Sequence, residues 1–222
     1  MASDATGETG DMFMYGGMTS DATVPSQTAR VLCVDATTSG GAPPANMFEW
    51  FAVASGEQEK GVMPLTSTVS PKHLQRSTLT GYGDDTRALL FGGDDGTTVQ
   101  SGTWILTRTS FEAATQTLSS WSWNEHVANV GEATPSARTG HAAVAFPDQQ
   151  GEEGRTVVMV FGGQGQGGAA IDDGASTFLF STDTATWHAA TRADVDQAPQ
   201  AREGHTMVYM SEDHAVYLFG GW

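Results

Sequence analysis

One pattern constrains this 222-residue chain more than any other: an apolar run closed by an aromatic residue and two glycines occurs four times. The copies are Met12-Phe13-Met14-Tyr15-Gly16-Gly17, Ala88-Leu89-Leu90-Phe91-Gly92-Gly93, Val157-Val158-Met159-Val160-Phe161-Gly162-Gly163 and Ala215-Val216-Tyr217-Leu218-Phe219-Gly220-Gly221. Their first glycines lie 76, 70 and 58 residues apart. That spacing is too variable for a stacked solenoid, so the differences in length belong to loops of an otherwise repeated unit. Upstream of two doublets a second pattern recurs: Ala137-Arg138-Thr139-Gly140-His141 and Ala201-Arg202-Glu203-Gly204-His205. In the second unit Arg76 is present and Leu79 takes the His place; nothing before Met12 matches. Downstream, a strand-like stretch (31–34, 103–106, 177–180) leads to Trp50, to Trp121 or Trp123, and to Trp187.

Each full unit therefore holds four strand candidates. Composition agrees, because charged residues are 16% against a usual figure of about 25%, and a Gly- and Thr-rich chain favours strands and turns over helices. A small four-stranded sheet cannot bury both of its faces alone and needs neighbours. Val157 to Phe161 has no polar face, as expected of a strand sandwiched between sheets. The glycines that follow permit a positive φ or a close backbone approach. Sheets of this kind packed radially form a β-propeller.

Aromatic-Gly-Gly after an apolar strand, Arg-x-Gly-His one strand earlier and Trp one or two strands later resemble kelch repeats, over about residues 11 to 222. The resemblance implies an all-β, kelch-type β-propeller with an inner strand at the central channel and the doublet closing the second strand. Gly16, Gly17, Gly92, Gly93, Arg138, His141, Gly162, Gly163, Trp187, Arg202, His205, Gly220 and Gly221 are then structural residues. Residues 1–10 read as a disordered N-terminus, followed by blades at about 11–66, 67–132 and 133–196 and an incomplete one at 197–222. The units supply three, four, four and two strands, about three and a quarter blades, whereas propellers have at least about four. The chain begins at a second strand and stops just after a doublet, so its two ends duplicate one another. An incomplete gene model, a fragment, or a half-ring needing missing blades or a second chain is expected.

The formal charge of −16, with Lys60 and Lys72 the only lysines, would repel phosphate-rich ligands and argues against nucleic acid as a partner. A single cysteine, Cys33, permits no intrachain disulfide. No apolar run approaches the roughly 20 residues of a membrane span, and the N-terminus lacks the pattern of a secretory signal; a cytoplasmic protein is expected, with no membrane association.

Arg138, His141, Arg202 and His205 could bind an anion or shuttle a proton. Their repetition in successive units points instead to hydrogen bonds that build the blades, with polar tips meeting backbone carbonyls and the neighbouring sheet. The doublets open no helix and are not phosphate loops. His73, His126, His188 and His214 are scattered, so no metal or cofactor is expected. The tryptophans read as core; Trp121 and Trp123 share a face, consistent with one buried and one at the rim. Asp94-Asp95 and Asp172-Asp173 lack the spacing of a calcium loop and read as solvated turn residues. With Gln164 and Gln166 they lie on loops joining second and third strands, and this polar, acidic face is where a protein or peptide partner is expected. The function read from the sequence is a non-enzymatic interaction or scaffold module without catalytic residues. The alternative is part of a propeller enzyme acting on a carbohydrate or small metabolite, which requires polar side chains converging from several first strands.

Overall fold

The computed structural model describes residues 10–16, 29–34, 48–54, 62–64, 67–83, 86–108, 121–148, 155–171, 176–190 and 199–222. They form fourteen strands and no helix, so none crosses a membrane as a helix. The first sheet is β1 (Gly10–Tyr15), β2 (Ala29–Val34), β3 (Phe48–Ala54) and β4 (Val62–Pro64); the second is β5 (Thr78–Tyr82), β6 (Arg87–Phe91), β7 (Thr103–Arg108) and β8 (Trp121–Glu125). The third is β9 (Ala142–Pro147), β10 (Thr156–Phe161), β11 (Thr177–Ser181) and β12 (Thr186–Ala189), and the fourth is the pair β13 (His205–Met210) and β14 (Ala215–Gly220). Strand order within each sheet follows the chain. Every pairing is antiparallel except β3 with β4.

Strand β4 corrects the three strands expected of the first unit. It is a three-residue piece parallel to β3, with Pro64 opposite Ala54. Three residues carry no readable alternation, and proline is tolerated there because the piece sits at a sheet edge.

First strands of successive sheets meet, β5 with β9 and β9 with β13, which gives a propeller-like fan. Two apolar layers fill it. Leu74, Ala88, Leu90, Leu106, Trp121 and Trp123 pack with Tyr15 between the first and second sheets. Tyr82, Leu89 and Phe91 of the second sheet pack with Val158, Val160, Phe178, Phe180 and Trp187 of the third. Alternate residues of β6 thus serve opposite layers, which is why the strand has no polar side. Trp121 and Trp123 are both buried in the same layer, so neither sits at a rim, and Tyr15 of the first sheet meets the Trp123 ring edge-on at 5.1 Å. Trp187 Nε1 donates to Thr103 Oγ1 across the second layer (3.1 Å).

The doublets carry the junctions. Gly92 and Gly162 have φ of +62° and +68°, and a Cβ there would lie 2.6 Å from Arg138 O or 2.4 Å from Arg202 O of the next sheet. Gly93 N and Gly163 N donate to those same two carbonyls, each at 2.8 Å. A Cβ on Gly93 or Gly163 would strike its own sheet, at Gln75 O (2.8 Å) or Thr139 O (2.9 Å). The first glycine of each pair therefore clears the next sheet and the second clears its own. Gly16 plays the first part against Leu74 O; Gly17 lies outside the described residues.

Gly220 has the same positive φ (+74°), yet a Cβ there meets nothing within 4 Å among the described residues. Gly162→Ala is expected to lower unfolding free energy by about 3 kcal/mol or more, since left-handed strain and a backbone clash combine, and Gly220→Ala by about 1 kcal/mol from strain alone. Urea unfolding of the two variants checks this; equal losses would remove the inter-sheet role given to the first glycine.

Candidate functional site

The Arg-x-Gly-His turns precede β9 and β13, and their side chains are held by the protein itself. Arg138 is fully buried; its Nη1 donates to Gly162 O and Ser176 O (3.1 Å each) and its Nε to Ser136 O (3.2 Å). Burial lowers its pKa to about 10, which leaves it cationic at neutral pH, above the Phe178 ring at 5.4 Å. Arg202 repeats the pattern with Gly220 O (3.0 Å) and Gln200 O (3.1 Å). The His141 and His205 rings lie edge-on to Phe91 and Phe161 of the preceding sheet, with centroids 5.3 and 5.4 Å apart.

The second unit's turn aligns differently from the sequence reading. Gly140 N donates to Arg76 O (3.0 Å) and Gly204 N to Gly140 O (2.8 Å), a backbone ladder running through three sheets. Arg76 has φ +53° where Gly140 and Gly204 both have +67°. Leu74 thus stands at the Arg place, Arg76 at the Gly place and Ser77 at the His place. Matching Arg to Arg by type misplaces the register by two residues, because the backbone ladder and not the side chain defines the position. The Arg76 guanidinium then reaches over Gly140 to pair with Glu203, a link between the second and fourth sheets for which spacing gives no signal.

Beside this turn, the loops that follow the second and third doublets form a polar hollow of about 240 Å³. It brings together Asp94, Gln164 and Gln166 with Gln75, Arg76 and Thr139, which sequence reasoning missed. Asp94 Oδ1 accepts from Gln75 Nε2 (2.6 Å), and Oδ2 accepts from Thr139 Oγ1 of the third sheet (3.0 Å). Asp95 Oδ1 accepts from the amides of Thr98 (2.8 Å) and Thr97 (3.0 Å), and Lys72 Nζ lies 3.4 Å from Oδ2. The Thr98 amide is the largest influence on this carboxyl and holds its pKa down to about 2. Gln166 Oε1 accepts from Val99 N (2.7 Å) while its Nε2 donates to Thr97 O (3.4 Å), so one side chain ties the two loops together. Asp172 and Asp173 lie outside the described residues, and among the described residues no group of acidic, His or Cys side chains could hold a metal ion.

A second polar node, also missed, is centred on Glu132 in the connection from β8 to β9. Its Oε1 accepts from Trp187 N (2.7 Å) and His126 Nε2 (3.0 Å), and Oε2 accepts from Asn129 N (2.8 Å). Burial would raise its pKa, but the bonds from Trp187, Asn129 and His126 outweigh that and hold it below the usual value. The node pins the inter-sheet connection to the outer strand of the third sheet.

No family model matches the sequence, and no curated protein matches it. Among solved structures the chain is similar to one in the cryo-EM structure of RAG in complex with one melted RSS and one unmelted RSS, at 13% identity and a TM-score of 0.50. The match covers 93% of this chain and 66% of that one, so the chain spans somewhat under two thirds of its length. This is a likeness of fold alone.

Burial, then the Arg138 charge, push the His141 pKa from 6.5 to about 3. Between those values the unfolded chain holds a proton that the folded chain lacks, so stability falls as pH drops from 6.5 toward 3. The lowered Glu132 acts in the same sense from about 4.5 downward. Urea midpoints between pH 7 and 4 are expected to fall steadily and to fall less in His141→Gln; an identical slope in the variant would exclude His141 as the cause. His141 Nε2 meets Thr78 Oγ1 at 2.9 Å, whereas His205 Nε2 is buried without a hydrogen-bond partner among the described residues, and the residue at the Thr78 place is Ala142. Ala142→Thr is expected to raise stability by about 1 kcal/mol, and no gain on thermal unfolding would show that the hydroxyl does not reach the ring.

Proposed function

We propose that this chain is a kelch-repeat propeller protein that acts as a protein-interaction or scaffold module, with its binding surface on the loops that follow the aromatic-Gly-Gly doublets. The observation that carries the reading is the loop face built by Asp94, Asp95 and Gln166. Loops 94–99 and 164–168 are cross-tied by one glutamine, and a closed set of hydrogen bonds stiffens the turn at Asp95. A surface rigid before binding loses little conformational entropy on meeting a partner. Thr97, Thr98, Gly167 and Gly168 are exposed upon it, presenting hydroxyls and bare backbone, groups suited to a polypeptide.

The Arg-x-Gly-His side chains support the same reading. Arg138 and Arg202 are bonded to carbonyls of their own sheets, and His141 is buried with its charged form disfavoured, which makes these groups poor acids or anion clamps at neutral pH. The net charge of −16 suits a partner with a basic contact surface.

The test compares the full-length chain with a Thr97→Arg/Gln166→Ala double variant, both checked for equal thermal unfolding. The wild type is expected to retain a saturable protein partner that the variant holds at least about tenfold more weakly, a loss of 1.4 kcal/mol. Equal retention would move the binding surface off the loops. Turnover of a carbohydrate or small metabolite by both proteins would favour the enzyme alternative.

A further inference from the structure

The hollow between the loops after the second and third doublets is framed by two backbone rungs. Gln75 pairs with Asp94 and Thr139 with Gln164, each pair exchanging both of its N–H to carbonyl bonds. Asp94 and Gln164 therefore enter the lining from equivalent places in successive sheets. The volume of about 240 Å³ lies below the roughly 300–1,000 Å³ of sites that enclose a whole small-molecule ligand. One long side chain is an occupant of that size.

The hydrogen bonds leave the chemistry of the hollow one-sided. Asp94 Oδ1 accepts twice, from Gln75 Nε2 (2.6 Å) and Gly96 N (3.2 Å), but among the described residues Oδ2 accepts only from Thr139 Oγ1 (3.0 Å). A carboxylate oxygen carries two lone pairs, so one acceptor direction of Oδ2 is open. All three donors are neutral, and among the described residues no cation pairs with this carboxylate, whereas Asp95 next to it is answered by Lys72. The Gln164 side-chain amide has no hydrogen-bond partner among the described residues, and its Oε1 lies against Gly168, 3.3 Å from where a Cβ would stand. Arg76 is the cation in the described lining, and it is already paired with Glu203, which lies outside that lining. The hollow thus holds one uncompensated negative charge and two open acceptors.

We infer that this hollow takes a basic side chain, arginine or lysine, of a partner polypeptide. Asp94 Oδ2 supplies the charged acceptor and Gln164 Oε1 a neutral one. Guanidinium and ammonium groups carry several donors and no acceptor, the complement of a carboxylate and an amide oxygen left open. Gln75, Gly96 and Thr139 are positioning residues: they fix the carboxylate from its far side before any partner arrives, which keeps the ordering cost of capture small. An acidic side chain would meet Asp94 at like charge, and a neutral amide would leave the carboxylate without a counter-charge. That the cation comes from a polypeptide rests on the loop-face reading above; its charge and its seat follow from the hollow alone.

The probes are end-blocked peptides, Gly-Gly-Xaa-Gly-Gly with Xaa arginine, lysine, citrulline or glutamate, titrated at constant ionic strength into the isotope-labelled full-length chain and followed by NMR. The arginine and lysine peptides are expected to shift the amide signals of Gly96, Thr98 and Gly168 saturably. Citrulline, which keeps the shape and loses the charge, should bind at least about tenfold more weakly, and glutamate should not bind. Molar salt should weaken the arginine peptide and leave citrulline unchanged. Asp94→Asn should lower affinity for the arginine peptide at least about tenfold, and Gln164→Ala about threefold with a native thermal unfolding curve; the second variant keeps the test decisive if the first does not fold. Equal binding of arginine and citrulline, binding of neither cation, shifts away from the hollow, or an affinity unchanged by both substitutions would overturn the proposal. The peptides need no natural partner: their failure while the loops still retain a protein removes this proposal and leaves the loop-face reading standing, and the reverse result removes that reading and leaves the cation seat.

Discussion

The fold depends on a close approach of two backbones. At the junctions that follow the second and third sheets the second glycine donates its N–H to the carbonyl at the Arg place of the next sheet, and the first glycine leaves room for that carbonyl by having no side chain. A neutral hydrogen bond contributes only about 1 kcal/mol net, but here it locates two apolar surfaces that neither sheet could bury alone. The layers of Leu89, Phe91, Val158 and Phe180 then add the area-dependent stabilisation that a lone small sheet lacks. The same spot explains why the doublet is a doublet: one glycine answers a clash between sheets and the other a clash within one.

The buried polar groups follow from that approach. Bringing carbonyls and ring nitrogens into a dry junction requires donors of matching geometry, and the planar guanidinium of Arg138 serves three carbonyls at once. His141 reaches Thr78 across the sheet boundary, and Asp94 does the equivalent at the loop face by bonding Thr139. These last two links join residues of different sheets, so the loop face inherits its rigidity from the stacking beneath it. The hollow beside Arg76 lies where the second and third sheets fan from first strands that meet, and it is lined by the loops of those two sheets.

The fourth sheet shows the same sequence pattern where no described sheet packs beyond it. Phe219 and Gly220 repeat the chemistry of Phe161 and Gly162, yet the phenylalanine is exposed and the glycine has open space. The residues are equivalent; their burial is not. The aromatic-Gly-Gly pattern therefore encodes a capacity to pack.

Much was legible in the residues themselves. The all-β class, the four doublet strands and the double-sided burial of β10 follow from composition and local pattern, since an uninterrupted apolar run before glycines has few other solutions. The recurrence of Arg138 and His141 argues for a structural reading, because a unique active site does not repeat, and the bonds of Arg138 to Gly162 O and of His141 to Thr78 are compatible with it. The register of the second turn was not legible: Arg76 looks like its namesakes, but backbone hydrogen bonds place it at the glycine position, and identity of type carries no information about φ. Nor were the Gln166 tie, the Glu132 node or the parallel β4, because each joins segments whose separation in the chain has no periodic signature. Sequence determines what each strand can bury; only the packed sheets decide which carbonyl meets which donor, since that depends on distances between chain segments up to 127 residues apart.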